Sequence, residues 1–130
     1  MKTIPESHVG LLENNQVVML ATNGPKGEPQ VTALWFLYED GKVKMSINES
    51  RQKLKNLRRD ARASVLFIDP ANPYKTLEIR GTVDIESDPD YVFADRVGKK
   101  YGANLRDMDK PGESRAMVTV NPEKVHSFGE

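Results

Sequence analysis

The hydrophobic pattern along this chain is mostly of period two. Lys42–Asn48 sets Val43, Met45 and Ile47 on one side and Lys42, Lys44, Ser46 and Asn48 on the other, which predicts a half-buried strand. Thr76–Glu86 repeats the pattern, with Leu77, Ile79, Val83 and Ile85 alternating against Glu78, Arg80, Thr82 and Asp84. Val17–Thr22, Gln30–Tyr38, Ala63–Asp69 and Ala116–Val120 read as four further strands, rich in β-branched and aromatic residues. Asn-Gly-Pro-Lys-Gly-Glu-Pro joins the first two, Glu39-Asp40-Gly41 is a tight turn, and the Pro-Ala-Asn-Pro-Tyr segment breaks the chain before Thr76.

Three short stretches take a helical period instead. One follows Pro5, where a missing N–H costs nothing. One runs from Arg51 to about Asp60, with Ser50 as its cap and Leu54 and Leu57 on its inner side. The third opens at Asp88-Pro89 and offers Tyr91, Val92, Val97 and Tyr101 as apolar positions. Six antiparallel strands in hairpins, without regular helical crossovers, predict a mainly β fold, a small barrel with short helices in one domain over 1–130.

One strand breaks the half-buried rule. In Gln30–Tyr38, Val31, Ala33, Trp35 and Leu37 are apolar on one face, and Leu34 and Phe36 are apolar on the other. If one face fills the barrel, the other needs a ligand, a helix or a second subunit.

Charge and composition narrow the chemistry. Nineteen basic residues cancel nineteen acidic ones, so no overall field favours nucleic acid or an anionic membrane. The basic helix lies in no helix-turn-helix, and no paired aromatic motif marks an RNA-binding sheet. Without cysteine there is no thiol nucleophile and no cysteine-ligated metal, and two histidines cannot build a three-histidine zinc site. Both histidines, His8 and His126, are expected at the surface. The N-terminus lacks a signal-peptide core, and the longest apolar run is Val17–Ala21; a cytoplasmic protein with no membrane segment is expected.

The charges are unevenly placed. Arg51, Lys53, Lys55, Arg58, Arg59 and Arg62 face the single acid Asp60 in their stretch, whereas Asp84–Asp95 carries acids and no base. A solvated helix face is the ordinary reading of such a run. Arg51 and Lys53, however, stand at the first turn of a helix, where free N–H groups and the dipole already favour an anion. A phosphate held by Ser46, Arg51 and Lys53 accounts for cations at that position. No acid–base or nucleophilic constellation is visible, so no catalytic side chain is assigned, and in an enzyme a cofactor would carry the chemistry.

Leu20–Phe36, the stretch Lys44–Tyr74 and the segment Leu77–Val83 together resemble the pyridoxamine 5′-phosphate oxidase-like split β-barrel superfamily, most nearly its deazaflavin-dependent reductase branch. The pattern S-x-x-x-x-R-x-K-x-x-N-L-R-R-D-x-R from Ser46 to Arg62 is its most specific part. The resemblance implies a six-stranded split β-barrel and a homodimer with cofactor sites between subunits. It implies coenzyme F-420 (8-hydroxy-5-deazaflavin) as cofactor, with FMN as the alternative. The expected reaction is hydride transfer to an activated C=C or C=N bond of a small-molecule substrate; an FMN-binding oxidase-like protein and a non-catalytic binding module are the other readings. By the same resemblance Arg51 and Lys53 bind phosphate, with Gln52 and Asn56 in the same stretch. Leu34, Trp35 and Phe36 run along the ring system, Ser46 and Ile47 lie near it, and Asn72, Pro73, Tyr74 and Lys75 close over it from the partner subunit. One departure is local: many relatives have Pro just before the Trp-Phe pair, where this chain has Ala33-Leu34.

Overall fold

The computed structural model describes residues 3–129. A 3-10 turn, Glu6–His8, leads into helix α1 (Val9–Asn14), then strands β1 (Val18–Asn23), β2 (Pro29–Leu34), β3 (Leu37–Glu39) and β4 (Lys42–Asn48). Helix α2 (Gln52–Arg59), β5 (Arg62–Asp69) and the long β6 (Asn72–Asp88) follow. Helix α3 (Val92–Tyr101), a 3-10 turn (Leu105–Met108) and β7 (Arg115–Phe128) come last.

All of these strands lie in one antiparallel sheet of order β2-β1-β5-β6-β7-β4-β3. Its edge strands, β2 and β3, are consecutive in the chain and separated only by Trp35 and Phe36, so the sheet curls into a split β-barrel. There are seven strands rather than six, because Gln30–Tyr38 breaks at those two residues to pass from one sheet edge to the other. At the break no neighbouring strand can pair with the backbone of Phe36. Helix α3 supplies the partners: the Tyr101 hydroxyl accepts the Phe36 N–H at 3.2 Å and donates to its carbonyl at 3.2 Å, and Lys100 Nζ donates to the same carbonyl at 2.9 Å.

The break also answers the two-sided strand. Phe36 points into the barrel, where it meets the Phe67 ring edge-on at 5.1 Å among Val18, Leu20, Met45, Val65 and Leu77. Helices α1 and α2 close the barrel through Leu11, Leu12, Leu54 and Leu57. On the outside, Trp35 and Leu37 join a second cluster built on Phe93, Ala94, Val97 and Leu105 of α3 and the turn after it. Helix α3 thus covers half of the outer face, and Val31 stays 62% exposed.

Several boundaries differ from the sequence reading. Asn72–Lys75 is the first part of β6 rather than a loop, entered by a two-residue turn at Pro70-Ala71. β7 continues through Asn121–Val125 because β6 pairs with it along its whole length. Helix α3 begins at Val92 and is capped by Asp88, whose carboxylate accepts the N–H groups of Phe93 (3.2 Å) and Ala94 (2.9 Å). Its buried face is Phe93, Ala94 and Val97; Val92 points outward. His8 is buried, held between Ser7 Oγ (2.7 Å) and the Phe128 carbonyl (3.1 Å), while His126 is exposed as expected. The expected turn at Asp40-Gly41 forms with positive φ at both residues (55° and 72°), the geometry that suits a tight hairpin. Among the described residues no helix is long and apolar enough to cross a membrane.

The β6–β7 pair shifts register between Arg80 and Gly81, where Gly81 faces Pro122. A Cβ on Gly81 would run into the Asn121 carbonyl oxygen, so only glycine allows the two backbones this approach. Gly81→Ala is expected to cost about 2–3 kcal/mol of stability, read as a lowered midpoint in urea unfolding. A midpoint equal to wild type would show that the bulge yields freely.

Candidate functional site

The end of β4 and the start of α2 are shaped by one side chain. Asn48 Oδ1 accepts the Ser50 N–H at 2.8 Å, and its Nδ2 donates to Asp109 Oδ1 (2.9 Å) and Glu113 Oε1 (3.2 Å). This turn makes Arg51, not Ser50, the N-cap of α2; no side chain caps the helix, and its first turn holds no acid. The N-terminal end of α2 therefore keeps its partial positive charge uncompensated.

The basic run separates into two groups. Arg58 pairs with Glu49 (2.7 Å), Arg62 with Asp60 (2.7 Å), and Arg59 donates to the Asn23 carbonyl (2.6 Å). These are surface pairings worth little to stability. Among the described residues Arg51, Lys53 and Lys55 have no carboxylate within ion-pair distance. Burial pushes the Lys53 ammonium pKa down, and the neighbouring Arg51 charge pushes it further. An anion between the two would relieve the second effect.

Arg51 and Lys53 border a cavity of about 160 Å³. Leu34, Trp35, Ile47, Val97 and Leu105 form its apolar wall, and Ser46, Asn48 and Arg115 join the two cations on the polar side. A second cavity of about 470 Å³ shares Asn48, Arg51, Met108 and Arg115 with the first and continues past them, along Ser50, Gln52, Asp109, Lys110 and Glu113. Of the expected contact residues, Leu34, Trp35, Ser46, Ile47, Arg51 and Lys53 meet at the first cavity, and Gln52 lines the second.

The remainder lie elsewhere in the chain. Phe36 is wholly inside the barrel. Asn56 is buried too, donating to Thr22 Oγ1 (3.0 Å) and Gln30 Oε1 (3.2 Å) and accepting from Gln52 (2.8 Å), so it ties α2 to β1 and β2. Neither side chain lines either of these two cavities; Asn56 borders a separate recess beside Gly24 and Gln30. Asn72, Pro73, Tyr74 and Lys75 begin β6 away from the cavity; Tyr74 is 75% exposed, and Lys75 lines a separate recess beside α1.

Arg115 is the polar residue that sequence reasoning missed. It stands opposite Asn48 in the β4–β7 register, a pairing no local pattern reveals. Its guanidinium grips Asp109 through Nε (2.8 Å) and Nη2 (2.9 Å), and Nη1 is left with only long contacts to Ser46, at 3.4 and 3.5 Å. The Asp109 side chain is 4% exposed and also accepts the Tyr91 hydroxyl at 2.6 Å. Burial pushes its pKa up, but the bonds from Arg115, Tyr91 and Asn48 outweigh burial and hold the carboxyl at about 2. Asp109 thus stays ionised and fixes Arg115 in the wall shared by the two cavities.

The family profile for pyridoxamine 5′-phosphate oxidase matches residues 4–129. The chain belongs to that family. Its fold matches a solved F420 reductase with a TM-score of 0.83 at 33% identity, covering 95% of this chain and 98% of that one. A conserved hypothetical protein from Mycobacterium tuberculosis matches at 0.78 and 25% identity, over 97% of this chain and 85% of the other. A putative pyridoxamine 5′-phosphate oxidase from Listeria innocua shares the fold at 0.71 and 20% identity, over 94% and 95% of the two chains. Within this family frame, the cavity lies where an apolar wall from the split strand meets the cationic start of α2.

The Asp109–Arg115 pair yields a pH-dependent test. A carboxyl held below its ordinary value of 3.8 adds stability above that value and loses it as the pH falls toward about 2. That loss amounts to roughly 2 kcal/mol. Asp109→Asn is expected to remove this part of the acid limb and, by leaving Arg115 buried without its partner, to cost about 3 kcal/mol near neutrality. Urea unfolding across pH 2–7 checks both; an acid limb of unchanged steepness in the variant would refute the assignment.

Proposed function

We propose that this pyridoxamine 5′-phosphate oxidase family member is an oxidoreductase that binds coenzyme F-420 and reduces an activated C=C or C=N bond of a small molecule. The observation that carries the reading is the pairing of two cations without carboxylate partners, Arg51 and Lys53, with an apolar wall containing Trp35 in one cavity. That donor set fits a phosphate attached to a planar ring. The 33% identical F420 reductase supports the choice of cofactor.

Arg51 and Lys53 would neutralise the phosphate, aided by the open end of α2. Leu34, Trp35 and Ile47 would hold the ring and exclude water from its face. When bound and reduced, the deazaflavin supplies the hydride. Among the described residues no Asp, Glu or His lines the first cavity, so the chain's part is orientation, without a dedicated acid at the reacting carbon.

Titrating the protein with F-420 and with FMN tests the reading. Tighter binding of F-420 is expected; binding of FMN alone would favour the oxidase-like alternative, and binding without turnover would make the chain a cofactor-binding module. A charge-assisted bond to phosphate is worth about 1.5–3 kcal/mol, so Lys53→Ala is expected to weaken binding about 10- to 150-fold. Arg51→Lys should also lose affinity, because an ammonium cannot make the planar two-pronged contact. Lys53→Ala with wild-type affinity would move the phosphate elsewhere.

The same reading includes a homodimer. Val31 and Ala33 on the outer face of β2, and Tyr74 at the start of β6, stand exposed and suit burial against a second copy. Sedimentation velocity at micromolar concentration should show the dimer; a monomer with and without cofactor would refute it.

A further inference from the structure

Tyr101 touches neither cavity, yet it holds the residue that forms the apolar wall. Its ring lies parallel to the Trp35 indole at 4.5 Å, with 6° between planes. Its hydroxyl spends both of its roles on one neighbouring residue, accepting the Phe36 N–H and donating to the Phe36 carbonyl. Lys100, next to it on α3, donates to that same carbonyl and stands 4.0 Å from the centre of the Phe36 ring. No strand pairs with this two-residue link, so its backbone path is set by these contacts from α3. Burial pushes the Tyr101 hydroxyl pKa up, against the pull of the Phe36 N–H it accepts, so the donor proton stays in place.

We propose that Tyr101, assisted by Lys100, is a positioning residue for the ligand cavity: it fixes the break between β2 and β3 and thereby the plane of the Trp35 indole against which a bound ring is oriented. The inference rests on the function proposed above and deepens it. A ring held by Trp35 is only as well placed as Trp35 itself, and small errors of placement lower transfer rates steeply. The effect of Tyr101 therefore falls on ring orientation and not on phosphate binding, because Arg51 and Lys53 belong to a different element.

The chain has a single tryptophan, so intrinsic fluorescence reports this indole alone. Tyr101→Phe keeps the stacked ring and removes both hydroxyl bonds; Lys100→Met removes the third bond from outside the cavity. In ligand-free protein, Tyr101→Phe is expected to shift Trp35 emission to the red and increase its quenching by acrylamide, with Lys100→Met following in the same direction. Inorganic phosphate should bind both variants as it binds wild type. With F-420 saturating, single-turnover hydride transfer in Tyr101→Phe should fall about tenfold at unchanged phosphate affinity. Wild-type emission and quenching in both variants would overturn the proposal, whatever the enzyme does with cofactor. Shifted emission in a protein that binds neither F-420 nor FMN would instead overturn the functional reading and leave the positioning role standing.

Discussion

The peptide groups of Phe36 have no strand to pair with, and much of this architecture depends on how they are satisfied. A buried backbone N–H or carbonyl without a partner costs about 1–3 kcal/mol, so a sheet cannot simply be broken in mid-run. Here the last turn of α3 lends a tyrosine hydroxyl and a lysine ammonium in place of a ladder. With that cost offset, one continuous run can supply both edges of the curled sheet. The same docking lays Phe93, Val97 and Leu105 outside the barrel beside Trp35, which creates the apolar half of the cavity. The break in the strand and the formation of the cavity are thus two results of one contact.

The polar half follows from a different constraint. In a chain whose net charge is zero, cations are distinguished by which of them are neutralised locally. Arg58 and Arg62 are paired, and among the described residues Arg51 and Lys53 have no carboxylate partner. Arg115 is neutralised in charge but not in hydrogen bonding, because Asp109 takes two of its nitrogens and leaves the third facing Ser46. Two kinds of cation then meet at one wall, a rigid buried one and a pair at a helix start with charge to spare. Anion recognition uses both properties, geometry from the first and affinity from the second.

Local features were legible in the sequence where local forces decide them. The alternation in Lys42–Asn48 sets β4 residue for residue, and Leu54 with Leu57 marks the inner face of α2. The contiguous stretch Ser46–Lys53 could be read as one edge of a binding site because a strand end and a helix start adjoin in sequence. Features set by distant partners stayed hidden. Nothing near Phe36 announces that Tyr101 will interrupt its strand, and nothing near Arg115 announces Asn48 as its cross-strand neighbour. Ser50 looks like a cap, but Asn48 claims its N–H first. Asn56 and Phe36 sit inside a ligand-like motif, yet Phe36 points into the core and Asn56 is spent on Thr22, Gln30 and Gln52, since one residue along a strand or helix reverses or rotates the facing direction. The burial of His8 depends on the far end of β7, 120 residues away.

The contacts to Phe36 span 64 and 65 residues of chain, whereas the hairpins β1–β2, β3–β4 and β5–β6 join near neighbours. Long-range contacts carry the larger loop-closure cost and form after local pairs in a folding chain. The cavity wall therefore rests on long-range contacts, like the β4–β7 pairing beside it, and not on hairpin contacts. The Phe36 amide is guarded by a side chain and not by a strand, so its exchange with solvent deuterium reports the lifting of α3 on its own, at a lower free energy than opening the barrel. One amide signal thus separates motion of the cavity wall from unfolding of the scaffold.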